Sequence, residues 1–292
     1  MKRIRFLLVG PGKVGISLGA AWVRAGHRCV GVEGGRPGAR RRAGALLRTG
    51  KSRGTARLAQ PAFDLLLIAV PDGEVASVAR SWRERCPWKG RMVLHTSGVL
   101  GASALDSLRR RGASAASLHP LLSLARPALD SNAFRGIYFG VEGDPEAAGM
   151  ARQLAREAGG RTLAVRARGK ALYHLGACLS SGYLLGLIDA AAARVSVRPA
   201  DRTRLRNALL ALSESTLRNA REAGLERALT GPIIRGDVST IQAHILALQG
   251  SPAEWRSLHR TLARHVLDLT LRSGRIKPAV AARIRGLLRG GR

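Results

Sequence analysis

Residues 9–27 read VGPGKVGISLGAAWVRAGH, in which an apolar strand runs into three glycines at a fixed spacing and then into a helix. Gly10, Gly12 and Gly15 form the pattern G-x-G-x-x-G. The first glycine permits a tight turn, the second lets the backbone approach a pyrophosphate, and the third lets the helix pack closely on the strand. The helix N-terminus adds unpaired N–H groups and a positive dipole end. The stretch predicts a dinucleotide cradle, and a plain glycine-rich turn is the alternative.

Apolar runs and helical periodicities alternate through the first half of the chain. The predicted strands cover 4–9, 28–32, 64–70, 92–95, 114–118, 137–141 and 162–165, and the predicted helices cover 16–25, 74–85, 102–111 and 145–158. The run DLLLIAV at 64–70 is continuously apolar, which is typical of a parallel strand buried on both faces. The alternation predicts an α/β fold with a doubly wound parallel sheet.

From Lys170 onward the periodicity is helical, over 170–194, 201–223, 238–249 and 252–273. We therefore predict a dinucleotide-binding domain over 1–167 and an all-helical domain over 168–292. The most apolar run, 175–193, contains Ser180, Ser181 and Asp189. We expect it to be a buried helix rather than a membrane span. Three cysteines without a regular spacing indicate a reduced, cytoplasmic compartment and no metal site.

Basic residues dominate the charge: 49 Lys and Arg against 19 Asp and Glu give a net charge of +30, and all but six of the basic residues are arginines. Such a charge attracts polyanions and is one signature of nucleic-acid binding. The arginines are scattered through the predicted helices, however, and aromatic residues, which could stack on bases, make up 4% of the chain. We interpret the charge as a compositional bias of solvated surfaces and expect no specific nucleic-acid partner.

The choice between NAD and NADP depends on the end of the second predicted strand. Glu33 ends this strand, where an acidic side chain would hold the ribose 2′-hydroxyl of NAD. Arg36, Arg40, Arg41 and Arg42 follow and could bind the 2′-phosphate of NADP. Four arginines against one glutamate favour NADP, and NAD stays possible.

Two further strand ends are predicted to line the coenzyme cleft, because open parallel sheets bind ligands at the carboxyl ends of their strands. Val70-Pro71-Asp72 ends one strand and His95-Thr96-Ser97-Gly98 ends the next, whereas His119-Pro120 is expected to set a rigid turn. Ser97 could orient a substrate carbonyl or carboxylate, or cap the following helix. The predicted coenzyme-binding residues are Gly10, Pro11, Gly12, Lys13, Val14, Gly15, Glu33, Arg36, Val70, Pro71, Asp72 and His95.

Five short motifs occur in order along the chain: VPD at 70–72, HTSG at 95–98, SLHP at 117–120, KALYH at 170–174 and ALTGPIIRGD at 228–237. Together they resemble a bacterial family of Rossmann-like oxidoreductases whose C-terminal helical domain has no known function. That family is similar to 6-phosphogluconate dehydrogenase, β-hydroxyacid dehydrogenases, ketopantoate reductase and pyrroline-5-carboxylate reductase. The resemblance implies a Rossmann NAD(P)-binding domain, followed by a helical domain that often dimerises and completes the active site.

Lys170 and His174 lie four residues apart and share one face of a predicted helix. Cys178 and Ser181 fall toward the same side, opposite three leucines, which predicts a polar seam turned toward a cleft. The resemblance implies that Lys170 is the proton donor to the oxygen of the substrate, with His174 one turn on as its partner. His174 and Ser97 are the predicted orienting groups. The alternative is a surface-lying first-turn lysine and a core histidine.

The loop 230–237 enters another predicted helix, which Asp237 is expected to cap. Arg235 on this loop could clamp a substrate carboxylate, or it could pair with Asp237. Thr230 and Ser181 are further candidate substrate-binding residues. His244 flanks the apolar face of the helix and is expected to be structural.

One departure from the family pattern concerns an amide side chain. Where the family commonly has asparagine, in the stretch aligned with 180–182, this chain has Gly182. If that amide orients substrate, its loss weakens the case for ordinary catalysis. Asn219, on the second long helix, is the candidate replacement.

These observations favour an NAD(P)-dependent oxidoreductase. It would transfer a hydride to or from the carbonyl or imine carbon of a small carboxylated metabolite, such as a 2-keto acid or a ketopantoate-like compound. The alternatives are a dinucleotide-binding sensor or scaffold without turnover and, less favoured, a nucleic-acid-binding protein. We expect a homodimer formed through the helical domain and no association with a membrane.

Overall fold

The computed structural model describes residues 3–49, 63–196 and 198–289. Residues 1–2, 50–62, 197 and 290–292 lie outside the described residues. The chain divides into two compact units, Met1–Leu184 and Leu185–Arg292. Each unit is described by itself.

A seven-stranded sheet forms the centre of the first unit, with the strand order β2-β1-β3-β4-β5-β6-β7. The strands are β1 (Arg5–Val9), β2 (Arg28–Glu33), β3 (Leu65–Ile68), β4 (Met92–His95), β5 (Ser114–Pro120), β6 (Tyr138–Gly143) and β7 (Arg161–Ala164). All neighbouring strands run parallel except β5 and β6, which run antiparallel. A parallel pair needs a crossover, usually a helix, whereas residues 121–137 form no helix. The predicted doubly wound α/β class is therefore confirmed, with one antiparallel pair that the sequence pattern does not reveal.

Helices cover both faces of this sheet. They are α1 (Lys13–Arg24), α2 (Pro37–Leu46), α3 (Asp72–Trp82), α4 (Asp106–Arg109, which follows a 3-10 turn at Ala102–Leu105) and α5 (Pro145–Glu157). One core contains Phe6 and Trp22, and the core on the other face contains Leu7 and Trp82. All four residues of β3 are buried, as expected for a continuously apolar parallel strand. Helix α2 is not among the helices predicted from the sequence.

The rest of the chain is helical in its described residues. Here α6 (Lys170–Leu179) belongs to the first unit, and α7 (Gly182–Val195), which begins at the end of that unit, continues into the second. The second unit continues with α8 (Pro199–Ala223), α9 (Leu225–Ala228), α10 (Pro232–Arg235), α11 (Val238–Ala247), α12 (Ala253–Arg272) and α13 (Pro278–Arg289). The predicted helix 170–194 is thus two helices, with Ser180 and Ser181 between them.

The end of the first unit differs from the boundary that we predict at 167/168. That boundary follows the last strand, β7, whereas the compact unit extends to Leu184. The reason is that α6 is bonded to the sheet: Lys170 Nζ donates hydrogen bonds to groups on β5 and after β4.

The expectation that 175–193 forms a buried helix is wrong. Leu175 is 43% exposed, Leu179 56% and Tyr183 59%, while Ile188 and Ala192 are buried. Helix α6 turns its polar side toward the sheet, so its leucine side is left uncovered. Within the described residues one helical stretch, Ala167–Val195, is long and apolar enough to cross a membrane by length and composition, and 11% of its most apolar part is buried.

Candidate active site

The glycine turn has the geometry that its spacing predicts. Gly10 follows β1 with φ of +95°, and its N–H donates to the carbonyl of Glu33 at 2.9 Å. A Cβ added to Gly15 would lie 2.6 Å from the carbonyl oxygen of Gly10 and 2.8 Å from a methyl group of Leu8. Both positions therefore require glycine, one for its backbone conformation and the other for close packing.

Space opens above Gly12, in contrast to its two neighbours in the motif. A Cβ there would have one neighbour within 4 Å, the carbonyl oxygen of Ala69 at 3.9 Å. Gly12 is the N-cap of α1, no side chain caps the helix, and Gly12 and Lys13 are exposed. The first N–H groups of α1 thus face open space, and no acidic residue occupies its first turn. This arrangement fits the diphosphate of a dinucleotide.

The other predicted coenzyme contacts lie at neighbouring strand ends. Val70 and Pro71 follow β3, and Asp72 begins α3 in an exposed position. Because β1, β3 and β4 are parallel neighbours, these residues and the glycine turn share the carboxyl edge of the sheet. The exposed Arg36 is the N-cap of α2.

Glu33 is already engaged by another residue. Arg85 Nη1 donates to Glu33 Oε2 at 2.8 Å. Burial raises the pKa of Glu33, and the charges of Arg85 and Arg40 reduce that rise. The carboxylate of Glu33 beside the cradle is therefore paired with Arg85. The sequence alone could not indicate this pair.

Lys170 is buried at the same edge of the sheet, with 2% of its surface exposed. Its Nζ donates to Ser117 Oγ at 2.9 Å and to the carbonyl oxygen of Ser97 at 3.2 Å. Burial lowers the pKa of Lys170 to about 8, against the opposing charges of Glu142 and Asp72. The alternative interpretation, in which Lys170 lies on the surface in the first turn of the helix, is thus not observed.

His95 and Ser97 point inward and shape the turn after β4. His95 is fully buried, its Nδ1 accepts the N–H of Ser97 at 3.2 Å, and its Nε2 lies 3.1 Å from the carbonyl oxygen of Gly101. Burial is the main cause that lowers the pKa of His95 to about 4. Ser97 Oγ accepts the N–H of Leu100 at 3.0 Å. This bond lies within the turn, whereas the 3-10 turn at Ala102–Leu105 has Gly101 as its N-cap and no side-chain cap, so the capping alternative for Ser97 is not observed. The carbonyl oxygen of Ser97 accepts from Lys170.

Two aromatic residues beside Lys170, His119 and Tyr173, are not among the predicted site residues. His119 Nδ1 lies 3.0 Å from Tyr173 Oη. Burial and then the charge of Lys170 lower the pKa of His119 to about 4. We expected His119 only to set a turn. Two features of the sequence could have indicated a role in the site. His119 lies at the end of a predicted strand, and Tyr173 lies within the KALYH motif.

Gly98 lets two imidazole rings approach each other. A Cβ on Gly98 would lie 2.5 Å from His174 Cδ2 and 2.9 Å from His119 Nε2. His174 and His119 have ring centroids 6.0 Å apart. The structure thus brings together Lys170, His174 and the turn of Ser97, as predicted, and adds His119 and Tyr173.

The imidazole rings of His119 and His174 and the ring of Tyr173 border a cavity of about 690 Å³ within the first unit. His119, Tyr173, His174, Cys178 and Ser181 are among its lining residues. Ser181 Oγ donates to the carbonyl oxygen of Ala177 at 2.6 Å. The predicted polar seam of α6 therefore faces a cleft large enough for a small metabolite.

The remaining candidates belong to the second unit. Asp237 Oδ1 accepts the N–H of Thr240 at 3.0 Å and caps α11, as predicted. Arg235 is exposed and forms no ion pair with the carboxylates of the described residues, so the predicted alternative of an Arg235–Asp237 pair is not observed. Asn219 is exposed on α8. Thr230 borders a second, largely apolar cavity, which also contains His244. The proposed roles of Arg235, Thr230 and Asn219 stay predictions.

Across residues 3–49, 63–196 and 198–289, no three His, Cys, Asp or Glu side chains are grouped so that they could hold a metal ion. The three cysteines are free thiols.

Two domain families match the sequence. The Rossmann-like domain matches residues 1–120, and DUF2520, a domain of unknown function, matches residues 137–266. No curated protein matches it.

Solved structures share the fold over nearly the whole chain. A Bacteroides fragilis protein named as a candidate NADP oxidoreductase is 21% identical, with a TM-score of 0.67 and coverage of 91% of this chain and 98% of its own. Protein TM1727 from Thermotoga maritima is 20% identical, with a TM-score of 0.69 and coverage of 92% and 99%. A pyrroline-5-carboxylate reductase from Coxiella burnetii is 10% identical, with a TM-score of 0.55 and coverage of 98% and 99%. At these identities the likeness establishes the fold alone. Residues 1–120 thus match the Rossmann-like model and residues 137–266 match the DUF2520 model, in the order that the motifs predict.

Proposed function

We propose that this protein is an NAD(P)-dependent oxidoreductase acting on the carbonyl or imine carbon of a small carboxylated metabolite. One observation carries the proposal: a buried Lys170 ammonium lies at the carboxyl ends of β4 and β5, the edge of the sheet where the glycine cradle opens. A buried cation is costly to maintain unless it is paired, so its retention at this edge points to chemistry.

The residues of the cradle supply the coenzyme contacts. The uncapped N–H groups of α1 hold the diphosphate, and the residues after β3 line the path toward Lys170. When bound, the nicotinamide exchanges a hydride with the substrate carbon. The structures similar to this chain include a protein named for NADP. We favour NADP because Glu33 is already paired with Arg85, while Arg36 is exposed.

Lys170 and His119 act on the oxygen or nitrogen of the reacting group. With a pKa of about 8, Lys170 is protonated at neutral pH and holds a proton at Nζ that it can transfer. His119 is neutral there, because its pKa is about 4. We assign the phenol of Tyr173 as the donor to His119 Nδ1, which leaves the proton on Nε2, above Gly98 and available to a substrate oxygen.

The substrate proposal follows from the size and chemistry of the cleft. A cavity of about 690 Å³ suits a small metabolite. A cation at Nζ and an N–H donor at His119 favour a substrate whose oxygen or nitrogen gains electron density during reduction. A 2-keto acid or its imine meets this description. A carboxylated imine is also the substrate named for the Coxiella burnetii relative.

The proposal is tested by titrating the protein with NADPH and NADH in a calorimeter. Coenzyme oxidation is then assayed with pyruvate and ketopantoate, each with and without ammonium. We expect saturable binding of at least one coenzyme, and turnover that depends on Lys170. Absence of binding for both coenzymes would contradict the proposal. Tight binding without turnover would instead favour the sensor or scaffold.

We also propose that a second copy of the chain covers the exposed apolar side chains. In the second unit, none of the 25 residues of α8 is buried. Even its large apolar side chains are exposed, Leu212 to 63% and Leu217 to 58%. In the first unit, Leu172 and Leu179 are exposed. A cluster of exposed apolar side chains commonly marks an interface. Burying it gains about 25 cal/mol per Å².

A membrane is the alternative environment that could cover the exposed apolar side chains of α6 and α7. Asp189 on α7 is paired with Arg202 and Arg206, and Lys170 is bonded to the sheet. A span through this stretch would have to place these charged groups in hydrocarbon or break their contacts. We therefore expect light scattering to give twice the 31.0 kDa chain mass without detergent. A monomer, or flotation with phosphatidylcholine vesicles, would contradict the dimer.

A further inference from the structure

A carboxylate beside the glycine turn poses an electrostatic problem for an NADP site. The backbone carbonyl of Glu33 accepts the N–H of Gly10 at 2.9 Å, so Glu33 adjoins the turn directly. An acidic side chain at this point accepts a hydrogen bond from the 2′-hydroxyl of NAD. The same charge would repel the 2′-phosphate of NADP.

Arg85 resolves this problem from a distant part of the sequence. It follows α3, and its Nη1 donates to Glu33 Oε2 at 2.8 Å. The Glu33 side chain is 12% exposed and the Arg85 side chain 44%, so the carboxylate of this pair is largely covered while its guanidinium borders solvent.

Trp82 holds the guanidinium of Arg85 in place. The guanidinium carbon lies 4.6 Å from the centre of the Trp82 ring. Trp82 is itself buried and packs edge-on against Phe63, with ring centroids 6.0 Å apart. Arg85 is thus fixed between a rigid aromatic face and a carboxylate, a geometry that a flexible lysine would not reproduce equally well.

The groups next to Glu33 are cationic. Arg36 is exposed at the N-cap of α2, and Arg40 is close enough to lower the pKa of Glu33. The first turn of α2 contains no acidic residue. Once Arg85 offsets the charge of Glu33, the remaining field at this end of β2 favours an additional phosphate.

We propose that Arg85 is a specificity-determining, positioning residue, which holds the Glu33 carboxylate away from the coenzyme ribose and thereby selects a 2′-phosphorylated dinucleotide. The inference rests on the proposed function, since it requires a dinucleotide site. The sequence pattern alone would place coenzyme selection at the end of β2 and in α2, which adjoin the ribose. Arg85 lies outside both of these elements.

The test is a comparison of NADPH and NADH affinities by calorimetry at two salt concentrations. The proteins are wild type, Arg85→Gln, Arg85→Lys, Glu33→Gln and the double variant with both glutamines. Arg83→Gln is the matched control, because Arg83 pairs with Glu84 on the surface nearby and its loss removes the same charge. Melting temperatures verify that each variant folds.

We expect Arg85→Gln to weaken NADPH binding about tenfold relative to Arg83→Gln, while NADH binding changes less than about twofold. Adding Glu33→Gln to Arg85→Gln should restore most of the NADPH affinity, because the freed carboxylate is then absent. Arg85→Lys should lie between wild type and Arg85→Gln.

Equal weakening of both coenzymes by Arg85→Gln would overturn the inference, because it would indicate a merely structural role. An unchanged affinity ratio, or no recovery in the double variant, would overturn it as well. Failure of the proposed function has a different result: the wild-type protein would bind neither NADPH nor NADH.

Discussion

Lys170 Nζ lies 2.9 Å from Ser117 Oγ, and this hydrogen bond joins the first turn of α6 to β5, the central strand of the proposed reaction site. A second bond, to the carbonyl oxygen of Ser97, ties the same ammonium to the turn after β4. Two neutral oxygens stabilise a buried ammonium only in part, so burial still lowers its pKa to about 8. The burial of this side chain where α6 packs on the sheet thus lowers the pKa of the proposed proton donor.

Replacement of Lys170 by methionine tests its role as proton donor. Methionine fills a similar volume, so the fold should persist, while turnover should fall roughly 10²- to 10⁴-fold. Coenzyme affinity should change little, as calorimetry would verify. Lys89→Met removes an exposed lysine and should leave turnover unchanged. Full turnover by Lys170→Met would refute the assignment.

The pH dependence of turnover should reflect the pKa of Lys170. Its protonated form is the donor and is lost as the pH rises through about 8, so kcat for reduction should decline above that pH. The opposite reaction, which needs the neutral amine, should accelerate over the same range. A pH–rate profile in each direction measures both trends. A flat profile from about pH 7 to pH 9.5 is incompatible with this role.

Acid should destabilise the protein through its buried histidines. The folded-state pKa of His95 is about 4, below the ordinary value of 6.5, so the unfolded chain binds its proton first as the pH falls. The associated stability is fully present above pH 6.5 and is lost between pH 6.5 and pH 4. The loss should be of the order of 1–3 kcal/mol in the free energy of unfolding. Urea titrations at several pH values measure it.

His95→Gln and His265→Gln provide the comparison for the acid effect. His265 is exposed on α12, so its replacement should leave the pH dependence of stability unchanged. The His95 variant should lose part of the slope between pH 6.5 and pH 4. Identical slopes for wild type and His95→Gln would show that this histidine does not take part in the acid effect.

Gly98→Ala tests the close approach of the two imidazoles. The new Cβ would lie 2.5 Å from His174 Cδ2, so the ring must move, at a cost of about 1–3 kcal/mol in the free energy of unfolding. Turnover should fall with the displacement of His174 and His119. Gly73→Ala on α3 meets no atom within 4 Å and should not destabilise the fold. Equal stabilities for the two variants would contradict the packing described at Gly98.

Local patterns predicted most of the secondary structure and part of the site. Apolar runs between helical segments located all seven strands. The one continuously apolar run, 64–70, contains β3, whose residues are all buried. Helical spacing placed Lys170 and His174 on one face, which the structure turns toward the sheet. The direction of β6 was not predictable in this way, since it depends on the irregular connection after β5.

The parts of the site that could not be predicted from the sequence depend on pairs of residues far apart in the chain. Arg85 and Glu33 are 52 residues apart and His119 and Tyr173 are 54 apart, and no spacing rule connects them. Tyr173 reaches His119 because Gly140 on β6 has no side chain: a Cβ there would lie 2.6 Å from the tyrosine ring. Likewise, an apolar stretch does not reveal which side of a helix is covered by other elements. For this reason the prediction that 175–193 is buried was wrong.

The central claim, that the glycine turn holds a dinucleotide, is tested most directly by calorimetry on wild type and Gly12→Ala. Gly12 has ordinary backbone angles and open space around its Cβ position, so alanine should barely change the melting temperature. A methyl group there would nevertheless occupy the approach of the diphosphate. We predict that wild type binds NADPH and that Gly12→Ala binds it at least tenfold more weakly. Equal binding by the two proteins, or no binding by wild type, would contradict the claim.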